Sequence, residues 1–96
     1  MNYRAEYNRE WTNEEDVELN GLYNEDMLGI MEIHERMNIM PWFITKRLIE
    51  KKYIEREEIS RGYDEYYKSP LRRESPEYLK MMEKMRGLLG GTAYSN

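Results

Sequence analysis

Ninety-six residues, 40% of them hydrophobic, suffice for one modest core with an attached arm or tail and leave no room for a second full domain. The lack of cysteine excludes a disulfide framework and a thiolate zinc site, no run of about 18 apolar residues is present to cross a membrane, and the start has no secretory core, so an intracellular protein without a membrane partner is expected. The net charge of -4 excludes a uniformly basic nucleic-acid coat, yet it is uneven: three basic against ten acidic residues in 1–37 (-7), and twelve against nine in 38–96 (+3).

Residues 1–10 read as an N-terminal arm. After Trp11, Thr12 is placed to cap a helix and Glu15, three residues on, to complete a capping box, with Glu14, Glu15 and Asp16 at the positive end of the helix dipole. Leu19, Leu22 and Tyr23 follow at helical spacing, predicting a first helix over 13–24 with Gly21 as its weak point. Ile30, Ile33 and Met37 recur on one face and predict a second helix over 28–37. Asn38 suits a left-handed exit and Pro41 the first position of a third helix over 41–52, so the intervening turn is about three residues long. Ile44 and Leu48 mark the buried side of that helix.

Residues 55–75 form an aromatic connecting segment, in which Arg61-Gly62-Tyr63-Asp64-Glu65-Tyr66-Tyr67 is expected to lay rings on the domain. Ser75-Pro76-Glu77 is a second marked helix start, and Gly90-Gly91 an apparent stop, giving a C-terminal helix over 76–90 and a frayed tail over 91–96. Tyr78, Met82, Met85 and Leu89 recur along one face of this helix, widened by Met81 and Leu88, and read as a packing or homodimer face.

The opening Trp11-Thr12-Asn13-Glu14-Glu15-Asp16 with Leu19 and Leu22 resembles the start of Myb/SANT-like repeats, and Ile30, Ile33, Pro41, Ile44, Arg47 and Leu48 extend the likeness over residues 11–54. Similar Myb-like proteins are encoded by large DNA viruses. The resemblance implies an all-α three-helix helix-turn-helix bundle, here with an added C-terminal amphipathic helix. It also implies a non-enzymatic DNA-binding protein with its third helix in the major groove, in a nucleus, viral factory or virion, and the apolar face of the C-terminal helix adds the expectation that it acts as a homodimer. Met40, where a capping Thr or Ser is usual, the bulky pair Trp42-Phe43, and Lys52-Tyr53 in place of a glycine stop depart from the pattern.

On a helical wheel Trp42, Thr45, Lys46 and Ile49 lie away from Ile44 and Leu48, and they are assigned to base edges and the groove wall. Arg47, Lys51, Lys52 and Arg56 are assigned to phosphates. The alternative is a SANT-type interaction module in which the acidic half holds a basic protein tail and DNA is not bound directly. His34 is the single histidine and no nucleophile, base or phosphate loop stands at useful spacing, so neither metal, cofactor nor catalysis is expected.

Overall fold

The computed structural model describes residues 9–94, with side chains described through Gly87. Among the described residues there is no strand. Helix α1 (Asn13–Asn20) runs into a π-helical turn (Gly21–Glu25), and α2 (Ile30–Met37) and α3 (Pro41–Glu50) follow. A 3-10 turn (Glu57–Ile59), α4 (Tyr63–Lys68), a second 3-10 turn (Pro70–Glu74) and α5 (Pro76–Tyr94) complete the order.

The capping box forms as the sequence predicts: Glu15 N–H donates to Thr12 Oγ1 at 3.1 Å, and Thr12 N–H donates to Glu15 Oε1 at 3.1 Å. At the weak point Gly21 the helix widens, and Asp26 N–H reaches back five residues to the Gly21 carbonyl at 2.8 Å. Leu28 and Gly29, expected inside the second helix, instead precede it, and Glu32 Oε1 accepts the Gly29 N–H at 2.9 Å to cap α2. Asn38 takes the left-handed conformation (φ 59°), leaving three residues between α2 and α3. In that turn His34 Nδ1 lies 3.0 Å from the Ile39 carbonyl, which gives the histidine a structural partner.

Leu19, Ile30, Ile33, Ile44 and Leu48 are wholly excluded from solvent at the centre of the core, with Leu22, Tyr23, Ile39, Trp42, Ile54 and Tyr66 around them. Each such aliphatic side chain contributes about 1.5–3 kcal/mol through burial.

Helix α3 stops at Glu50 rather than at residue 52 because Lys52 turns left-handed (φ 64°). Lys52 N–H then donates to the Ile49 carbonyl and Tyr53 N–H to the Leu48 carbonyl, both at 2.9 Å, which is the hydrogen-bond pair that ends many helices at glycine. The connecting segment docks as expected. Tyr66 is buried, and Ile30 N–H donates to the Arg61 carbonyl at 2.8 Å. Arg61 also donates from its guanidinium to the carbonyls of Tyr23 (2.8 Å) and Leu28 (3.0 Å), filling acceptors left open in the last turn of the first helical run and in the connection before α2.

Helix α5 begins at the Ser75 cap, where Tyr78 N–H donates to Ser75 Oγ at 3.2 Å, and its contacts concentrate on the 70–74 turn. The stop expected at Gly90-Gly91 does not occur, and the helix continues to Tyr94. Glycine permits a left-handed exit without forcing one, and inside a helix each costs only about 1 kcal/mol relative to alanine.

Candidate interface on the third helix

The eight positions assigned from sequence to a DNA duplex separate sharply in the structure. Trp42 and Thr45 are 6% and 2% exposed, so neither has surface to offer a base edge, and their groove assignment is corrected to a core role. The wheel allowed α3 one buried side; the chain after α3 covers a second, with the 57–59 turn against α3 and Ile54 entering the core. Thr45 Oγ1 donates to the Trp42 carbonyl at 3.1 Å, whereas Trp42 Nε1 has no hydrogen-bond partner among the described residues.

Arg47 is held within the fold. Its guanidinium grips Asp16 with both arms of the fork, Nε to Oδ1 at 2.9 Å and an NH2 group to Oδ2 at 2.7 Å, and its remaining nitrogen donates to Glu50 at 3.0 Å. Hydrogen bonding to Arg47 pulls the Asp16 carboxyl below its ordinary range, and the same bonds raise the Arg47 pKa. Lys51 Nζ lies 3.7 Å from the same Asp16 carboxylate. To meet a phosphate, Arg47 would have to surrender three charge-assisted hydrogen bonds; its assignment is corrected to a tie between α1 and α3.

Lys46, Ile49, Lys51, Lys52 and Arg56 are exposed, with Ile49 at 37%. Lys46 and Ile49 border an open depression of about 280 Å³ whose lining also includes Thr45, Arg56 and four carboxylates: Glu55, Glu57, Glu58 and Glu77. Arg56 approaches Glu58 at 4.0 Å on the surface. Sequence reading missed this acidic border because Glu77 belongs to another helix, and only the fold-back of residues 55–59 brings the group beside α3.

On α5, Met81, Met82 and Met85 are 42%, 37% and 45% exposed, while Tyr78 is half-buried under Arg72. The Leu89 end of the expected face lies outside the described side chains. Among the described residues no group of His, Asp or Glu is arranged to hold a metal ion, and no helix is long and apolar enough to cross a membrane. Comparison with family models, with curated proteins and with solved structures finds no match to this chain.

Proposed function

We propose that the chain is a SANT-like helix-turn-helix module for protein interaction, which holds a basic segment of a partner along the outer face of α3. The observation that carries this reading is the acidic border, Glu55, Glu57, Glu58 and Glu77, around the depression at Lys46 and Ile49. Duplex affinity rests mainly on neutralising phosphates and releasing their counterions. Here the exposed cations near α3 stand beside a similar number of exposed carboxylates, so that contribution largely cancels. At the depression itself four carboxylates stand against Lys46 and Arg56, and that local acidic excess favours a lysine- or arginine-rich segment.

Direct duplex binding is the second reading, favoured by the continued exposure of Lys46, Ile49, Lys52 and Arg56. The two readings separate in one titration of the full chain with a lysine-rich peptide and with a DNA duplex, each at low and moderate salt. The proposal expects saturable peptide binding and no duplex shift at moderate salt. Duplex binding lost in a Lys46→Glu, Lys52→Glu double variant, without peptide binding, would replace it by the second reading.

The module is further proposed to pair with a second copy through α5. Met82 and Met85 lie on one exposed stripe of that helix.

A further inference from the structure

A second cavity, of about 120 Å³ and open to solvent, adjoins the depression beside α3 and shares Glu57 and Glu77 with it. Three tyrosines, Tyr63, Tyr66 and Tyr78, are among its eight lining residues, and the rings of Tyr63 and Tyr66 stand 5.9 Å apart at 59°, as two walls of a corner. A cation is attracted to such ring faces, and more strongly when partly removed from water. Several times the space a water molecule needs is available.

The charge of the lining is unbalanced. Neither Glu57 nor Glu77 has an ion pair within 4.0 Å among the described residues. Arg72, the cation in the wall, is stacked instead on Tyr67 and Tyr78, with its guanidinium carbon 4.0 and 5.0 Å from the ring centroids. Two carboxylates thus face one guanidinium, which stacks on the cavity's own Tyr78 and only partly offsets their charge at Glu57. Burial, and then repulsion from Glu77 and Glu58, pushes the Glu57 carboxyl above its ordinary pKa. A carboxylate in that position is stabilised by an added positive charge.

Rings, acids and volume together fit one chemical class, a primary ammonium on a flexible apolar stem. We infer that this cavity receives the end of a lysine side chain from a basic partner, with its methylenes against Tyr63 and Tyr78 and its ammonium at Glu57 and Glu77. The inference rests on the proposed basic partner for its biological source, while the cavity chemistry is testable by itself.

The test titrates the full chain with n-butylammonium, which reproduces the lysine stem and head, and with n-butanol as a neutral counterpart of equal length, at constant ionic strength. The Met81 methyl, which also lines the cavity, is followed by NMR. Saturable shifts with butylammonium only, weakened about tenfold by Glu57→Gln and by Tyr63→Leu, are expected. Glu57→Gln removes a carboxylate already strained by its neighbours, so it is expected to fold at least as well as the parent chain. Equal response to the alcohol, no saturation, or unchanged binding in a folded Glu57→Gln variant overturns the inference. The lysine-rich peptide supplies the second arm. Peptide binding that both variants leave intact upholds the interaction module and overturns the cavity's role; butylammonium binding without peptide binding upholds the cavity chemistry and overturns the basic partner.

Discussion

Lys52 shows how one backbone angle can stand against the residue that adopts it. Its left-handed conformation (φ 64°) ends α3 and sets the direction in which residues 53–59 return over that helix. For a residue with a Cβ this conformation costs about 1–2 kcal/mol, and glycine avoids most of that cost. Lys52→Gly is therefore expected to stabilise the protein by about 1 kcal/mol, seen as a higher midpoint in urea at unchanged slope. A lower midpoint would show that the lysine makes a contact worth more than the strain. Gly62 is the opposite case. It is left-handed (φ 82°), and a Cβ there would stand 3.2 Å from the Gly29 Cα, so strain and crowding act together. Gly62→Ala should destabilise by at least about 1 kcal/mol, and the loss should appear first in the protection of the Ile30 amide, which donates to Arg61.

Between elements, the α1–α3 tie was half legible in the sequence. The acidic triplet announces a helix start, and the structure bears that out at Thr12 and Glu15; nothing local indicates that Asp16 is turned to Arg47, 31 residues away. The same holds for Trp42 and Thr45, whose burial depends on a return of the chain that no wheel contains. The Arg61 clamp and the acidic cavity were likewise invisible, because their partners meet only after folding, whereas caps, turns and helical stripes are local and could be read directly. The tie also has a pH signature. Hydrogen bonding to Arg9 and Thr12 lowers the Glu15 carboxyl to about 2, and Asp16 is lowered by Arg47. Both groups have folded values below their unfolded ones, so their stabilisation is complete above the unfolded pKa and is lost as pH falls through the folded value. Melting temperature is expected to fall between about pH 5 and pH 2, with a shallower fall in Asp16→Asn, which has already lost its share. Identical acid limbs for the two proteins would remove Asp16 from the account. Arg47→Glu, by contrast, sets a third carboxylate beside Asp16 and Glu50 and should destabilise the bundle. Loss of any binding in that variant would thus report folding, which is why the charge reversal leaves Arg47 in place.

At the scale of the molecule, the described residues divide into a bundle, in which residues 54–66 complete the core begun by α1–α3, and a helix that leaves it. The core is closed by Tyr66 and Ile54, both less than 10% exposed, so the bundle has little need of α5. That leaves Met81, Met82 and Met85 open to water on a long helix whose contacts concentrate on one turn. Methionine stripes are adaptable contact surfaces, and burying them against an identical stripe gives a closed two-fold pair, where a head-to-tail contact would propagate. Light scattering of the full chain at micromolar concentration is expected to give twice the chain mass, and Met82→Glu with Met85→Glu to give the monomer with an unchanged melting temperature for the bundle. A monomer at every concentration would overturn pairing through α5.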